Sequence, residues 1–161
     1  MYQENLIQVS EARSRRESDV SFATERAPAV TMTNTDQIDR PGPICVVDDD
    51  DWVCDSMTVL LETHGFSVSA YASGAQFLAD AGRVKAKCLV IDQHMRGMDG
   101  LEVVAKLRGE GVFLPTVLIT GRLDAGIAQR ANELGVRAIL EKPFRVARLV
   151  ELIRGTLDLP V

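Results

Sequence analysis

The 161-residue chain has little of what staples or anchors a protein. Its cysteines, Cys45, Cys54 and Cys88, are odd in number, form no Cys-x-x-Cys pair, and two of them sit in apolar runs. Buried free thiols in a reducing compartment fit that pattern, and a zinc site does not. No apolar run has the length of a membrane span, and the N-terminus lacks the apolar core of a secretory signal. The expectation is a cytoplasmic protein without a membrane partner. A basic surplus is also missing. The formal net charge of −5 argues against nucleic acid as a direct partner, because phosphate binding needs a basic face. No Gly-x-Gly-x-x-Gly follows the first apolar run, which disfavours a dinucleotide enzyme.

What is there suits a folded domain. Hydrophobic residues make up 46% of the chain, and a domain of this size folds without disulfides or metal staples. Residues 1–43 stand apart: polar and charged, with no sustained period, they are expected to be a disordered tail. The mixed-charge run Ser10–Glu17 reads as a short exposed helix or a docking segment, and Met32 is an alternative start of translation. Pro41-Gly42-Pro43 marks the boundary, leaving one domain over 44–158.

Within it, strand and helix signals alternate. Short apolar runs at Ile44–Val47, Phe66–Tyr71, Cys88–Ile91, Pro115–Thr120 and Ala138–Leu140 read as strands. Helical spacing follows each. The first helix is capped by Asp50 or Asp51 and turns Val53, Met57, Leu60 and His64 inward; the second runs from Ser73-Gly74 through Phe77 and Leu78. The third covers Gly100–Arg108 with Leu101, Val104 and Ala105 inward. The fourth covers Leu123–Leu134 with Ile127, Ala131 and Leu134 inward. The fifth starts at Pro143, with Val146, Leu149, Val150, Ile153 and Leu157 inward. Strands this apolar must be covered on both faces, which implies a parallel sheet. Five β-α units with right-handed crossovers give an α/β, doubly wound three-layer sandwich.

In such a sheet the carboxyl ends of the strands share one edge, where ligands bind. Asp48-Asp49-Asp50-Asp51 follow the first strand, Asp92 the third, Thr120-Gly121 the fourth and Glu141-Lys142-Pro143 the fifth. Clustered carboxylates repel and call for a cation. A few oxygen ligands suit Mg²⁺. With the metal, Asp92, Thr120 and Lys142 would hold a phosphoryl group in transfer, and an aspartate nucleophile would form an acyl phosphate.

These residues resemble a CheY-like receiver domain of two-component response regulators. The likeness covers Ile44 to about Leu157. It rests on Val46-Val47-Asp48-Asp49, Asp92-Gln93-His94-Met95, Met98-Asp99-Gly100, Leu118-Ile119-Thr120-Gly121 and Glu141-Lys142-Pro143-Phe144, in that order. Asp48-Asp49-Asp50 and Glu141-Lys142-Pro143-Phe144 look most like the FixJ-like branch. The resemblance implies a flavodoxin-like strand order 2-1-3-4-5, Asp92 as phosphoacceptor, and Mg²⁺ held by Asp48, Asp49, Asp92 and the backbone carbonyl of His94. It further implies Thr120 as switch hydroxyl, Lys142 as phosphate partner, and a cis Lys142-Pro143 bond. A sensor histidine kinase or histidine phosphotransfer protein would be the phosphodonor. The output partner would meet the fourth helix, fifth strand and fifth helix, a face that could also form a homodimer.

Two positions depart from the family. Arg96 stands where a proline is usual, which loosens the loop and brings a cation near the site. Ile139 stands where an aromatic switch residue is usual, so the coupled Thr-aromatic switch lacks its ring. The function expected is a single-domain receiver, a signalling phosphoacceptor rather than a metabolic enzyme. Two rivals stand beside it: a degenerate receiver that binds partners unphosphorylated, and an aspartyl-phosphate phosphohydrolase. The hydrolase usually carries a second acid where His94 is. Plainer roles suit the other polar and aromatic residues. Asp50 and Asp51 read as caps, the His64 and His94 side chains as surface groups, and Phe144 as core. Trp52 reads as packing at the start of the first helix, with partner contact the rarer option.

Overall fold

Alternation along the central strands decides the architecture, because successive side chains leave a strand on opposite faces. A computed structural model describes residues 42–158. The expected N-terminal tail lies outside the described residues apart from Gly42 and Pro43, as do the Ser10–Glu17 run and Met32. The strands are β1 (Ile44–Val47), β2 (Val68–Tyr71), β3 (Cys88–Asp92), β4 (Thr116–Thr120) and β5 (Ala138–Glu141). They form one parallel sheet in the order β2-β1-β3-β4-β5. The helices are α1 (Asp51–Thr63), α2 (Gly74–Asp80), α3 (Gly100–Gly109), α4 (Ala125–Glu133) and α5 (Val146–Leu157).

Ile44, Val46, Cys88, Val90, Val117 and Ile119 point to one face, where Cys54, Met57 and Leu61 of α1 and Leu149, Val150 and Ile153 of α5 cover them. Cys45, Val47, Leu89, Ile91 and Leu118 point to the other, beneath Phe77 of α2, Leu101, Val103, Val104 and Leu107 of α3, and Ala131 of α4. This is the three-layer sandwich expected of strands without a wet face. Among the described residues no helix is long and apolar enough to cross a membrane.

Caps set most helix starts. The Asp50 side chain accepts from Trp52 N–H, Ser73 from Gln76 N–H and Asp124 from Ile127 N–H. At α3 a full capping box forms: Asp99 accepts from Glu102 N–H while the Glu102 carboxylate accepts from Asp99 N–H. The last helix has no side-chain cap and starts after Arg145.

Several expectations are corrected. The inward face of α1 keeps the expected Met57 and centres on Cys54 and Leu61 as well, with Val53 and Leu60 partly buried against the same core. His64 is not inward; it lies just past the end of α1 as an exposed C-cap residue. Trp52 is not packed. It lies two residues from Cys54, on the opposite side of the helix, and is 83% exposed. Phe66 and Ser67 precede β2, since Phe66 N–H bonds back to Leu61 and keeps this stretch in the turn. The fourth helix begins at Ala125 rather than Leu123, after its Asp124 cap. The fifth begins at Val146 rather than Pro143, because Phe144 first turns in against the core.

Candidate functional site

The parallel register brings the polar strand ends to one edge. Val47 lies opposite Ile91, Asp92 opposite Ile119, and Thr120 opposite Glu141. Asp48 and Asp92 are 3% and 5% exposed, so two carboxylates are desolvated side by side. Burial of that kind requires a cation or hydrogen-bond donors.

Lys142 supplies the first cation. Its Nζ lies 2.8 Å from Asp92 Oδ1 and 3.7 Å from Asp48 Oδ2. The second oxygen of Asp92 accepts the backbone N–H of His94 at 2.8 Å. One oxygen of Asp48 accepts Asp50 N–H at 3.0 Å. The other, Oδ2, is buried with no hydrogen-bond partner, since 3.7 Å from an ammonium is attraction without a bond. Burial raises the Asp48 pKa above the usual carboxylate value; the bond from Asp50 lowers it, and the charge of Asp92 raises it again. Burial alone would lower the Lys142 pKa, but its hydrogen bond to Asp92 and the charges of Asp92 and Asp48 carry it above the ordinary lysine value. The Lys142-Pro143 bond is cis, as expected.

Asp49 is arranged differently. Its Oδ2 accepts both the backbone N–H and the Nε–H of Arg96, each at 3.0 Å, and its carbonyl faces Arg96 Nη2 at 3.4 Å. Those donors, the backbone one foremost, hold the Asp49 carboxyl below its usual pKa. Gly97, at φ 85°, turns the chain immediately afterwards, a conformation that suits glycine.

Thr120 is fully buried at the end of β4, at the same edge. Its hydroxyl donates to the Arg122 carbonyl at 2.8 Å and accepts Arg122 N–H at 3.2 Å, so it is engaged by its own loop. Ile139 packs partly buried against the α3–α4 side of the core. The His94 side chain is exposed. The structure thus joins Asp48, Asp92 and Lys142 directly, ties Asp49 to Arg96, and leaves Thr120 turned to Arg122.

Two features escape the sequence. Gln93 braces the loop after β3: its Oε1 accepts Leu101 N–H at 3.1 Å and its carbonyl accepts Gly100 N–H at 3.1 Å. Its only signal is a polar residue beside Asp92. The Arg96–Asp49 pair joins positions 47 apart in the chain, a separation no local pattern reports.

A divalent metal can be weighed against these atoms. An orphaned, buried Asp48 oxygen beside Asp92, with oxygen donors throughout, fits Mg²⁺ in chemistry. Among the described residues, however, no three Asp, Glu, His or Cys side chains already form a ligand cluster. That agrees with Asp49 being bonded to Arg96.

Comparison with known proteins points to one family. A family model described as a response regulator receiver domain matches residues 44–154. The transcriptional regulatory protein FixJ of Azorhizobium caulinodans is 36% identical over 115 residues, covering 71% of this chain and 54% of that protein. The response regulator protein TodT of Pseudomonas putida is 35% identical over 121 residues, covering 75% of this chain and 53% of TodT. This chain therefore spans about half the length of these curated relatives. Among solved structures, the crystal structure of FixJ-N superposes with a TM-score of 0.70 at 31% identity, covering 76% of this chain and 98% of that one. The Vibrio cholerae chemotaxis protein CheY4 superposes at 0.69 with 24% identity over 73% of this chain and all of its own, a likeness of fold.

Proposed function

The chain belongs to the response regulator receiver domain family, in its FixJ-like branch, and on that premise we propose that it acts as a phosphoacceptor whose reactive residue is Asp92. The observation that carries the reading is the buried Asp92 carboxylate held between Lys142 Nζ and His94 N–H, each at 2.8 Å.

In the proposed reaction an Asp92 oxygen attacks the phosphorus of a phosphohistidine on a sensor kinase or histidine phosphotransfer protein. The O–P bond forms as the P–N bond breaks, and the electron pair leaves with the imidazole. His94 N–H and Lys142 fix the carboxylate so that the attack needs no search of rotamers. Lys142, 37% exposed at its side chain, reaches both the carboxylate and solvent, which is where incoming phosphoryl oxygens need a cation. Asp48, Asp49, Asp92 and the backbone carbonyl of His94 would hold Mg²⁺, which when bound supplies charge neutralisation for the phosphoryl oxygens. Thr120 would give up its Arg122 bonds to meet the phosphoryl group, and that release is the conformational signal. Ile139 offers no ring to follow it, so the change is carried by the β4–α4 loop.

On this reading the protein signals by contact and is not a metabolic enzyme; the chemistry of this domain is limited to its own phosphorylation and dephosphorylation. Trp52 and Val59, 83% and 63% exposed on α1, form with Leu60 and Val146 an apolar surface for the phosphodonor. Output is read on α4, β5 and α5. A second reading, the degenerate receiver, is favoured by one observation: Arg96 already occupies Asp49. Incubation with MgCl2 and acetyl phosphate separates them. Intact mass should show one phosphoryl increment, lost in Asp92→Ala. No increment with the metal bound would favour the degenerate reading, and rapid turnover of assorted phosphate esters would favour a hydrolase.

A further inference from the structure

Arg96 directs its donors at a single residue. The side chain is 88% exposed, yet Nε and the backbone N–H converge on one Asp49 oxygen while Nη2 faces the Asp49 carbonyl. A guanidinium fork suits this attachment, where a lysine would offer one point charge. Two further observations bear on the same place. Asp48 Oδ2 is buried without a hydrogen-bond donor, and no three acidic, His or Cys side chains among the described residues stand ready as a ligand cluster. One part of the edge is short of positive charge while the carboxylate next in sequence is taken.

We infer that Arg96 is a displaceable cationic latch on the divalent-cation site: its guanidinium holds the Asp49 carboxylate that the metal needs, so Mg²⁺ binding and the Arg96–Asp49 pair oppose one another. The inference rests on the receiver reading above and adds a regulation that the family pattern, with proline at this position, does not contain. The site is closed by a side chain and opens when a stronger cation arrives. The strength of the pair sets the size of the effect. An exposed ion pair is weak and salt-screened, so the latch lowers metal affinity about two- to fivefold at low ionic strength. The coupling is reciprocal: bound metal must release Arg96 to the same degree.

The two donor groups of residue 96, guanidinium and backbone N–H, can be removed in turn. Arg96→Ala deletes the guanidinium and keeps the backbone N–H. Arg96→Pro deletes both. Calorimetric titration of the full chain with MgCl2 should rank the affinities wild type, then Arg96→Ala, then Arg96→Pro as tightest. The gap between wild type and Arg96→Ala should narrow in high NaCl. In the wild type, the Arg96 Nε–H nuclear magnetic resonance signal should move to a solvent-exposed position as Mg²⁺ is added. Equal affinities in all three proteins, with acetyl phosphate still labelling Asp92, would overturn the latch and leave the receiver reading standing. A wild-type Arg96 signal unmoved at saturating Mg²⁺ would do the same. Absence of Mg²⁺ binding in every variant, together with no labelling, would overturn both.

Discussion

At Asp48, burial and charge are most at odds. The residue is 3% exposed, one of its oxygens lacks a donor, and Asp92 stands beside it with Lys142 shared between them. Such a group costs stability and is kept where function needs it. In metal-free protein, Asp48→Asn should therefore raise stability, measured as a higher urea midpoint. The sign with pH follows from the raised Asp48 pKa. A raised acid contributes stability below its unfolded value, about 3.9, and loses it as pH rises through the folded value. The advantage of Asp48→Asn is thus full above the folded value, shrinks as pH falls through it and vanishes below the unfolded one. Added Mg²⁺ should also shrink it, because metal stabilises the wild type by mass action. The Asp48 and Asp92 positions are legible as acids at strand ends, but the orphaned oxygen is not, since it depends on how the Lys142 side chain is shared.

Among the elements, the β3–α3 connection positions the Asp92 carboxylate. A side chain at Gly100 would place Cβ 2.5 Å from the Asp92 carbonyl oxygen and 3.1 Å from Leu118 Cδ1, so helix and strand end meet only through glycine. Gly100→Ala is expected to cost about 1–3 kcal/mol and to slow acetyl phosphate labelling by displacing Asp92. One residue earlier, Asp99 caps α3 and lies 3.5 Å from Arg130 of α4. Asp99→Ala should cost about 1 kcal/mol in thermal or urea unfolding, nearly all from the lost cap, as the partly exposed pair adds little. The elements themselves are plain in the sequence because apolar spacing records burial. Their ends are less so: Pro143 suggests a helix start, but Phe144 packs first and α5 waits until Val146. Trp52 misleads for a related reason. Aromatic size favours burial, yet the turn of α1 fixed by Cys54, Met57 and Leu61 carries it to the outside.

For the molecule as a whole, two apolar layers grip one sheet, and the site rides on the edge where the strands end. Leu61 and Phe77 are fully buried on opposite faces. Leu61→Ala should cost about 2–5 kcal/mol and Phe77→Ala about 3–5 kcal/mol in urea unfolding, with additive effects because the sheet separates them. The parallel sheet was legible because five apolar runs are each followed by a helix, but the strand order came only with the resemblance, since right-handed crossovers narrow the arrangements without choosing one. The convergence of Asp48, Asp92 and Lys142 was legible because a parallel sheet gathers its strand ends on one edge. The Arg96–Asp49 pair was not, since it depends on the course of the loop through Gly97. Borohydride trapping tests at a single position the proposal that Asp92 is the phosphoacceptor. Protein treated with MgCl2 and acetyl phosphate is reduced, which converts an aspartyl phosphate to homoserine, and is then sequenced by mass spectrometry. Homoserine at position 92, and its loss when a chelator replaces MgCl2, is the expected result. Homoserine at another aspartate, or none in protein with Mg²⁺ bound, would contradict it.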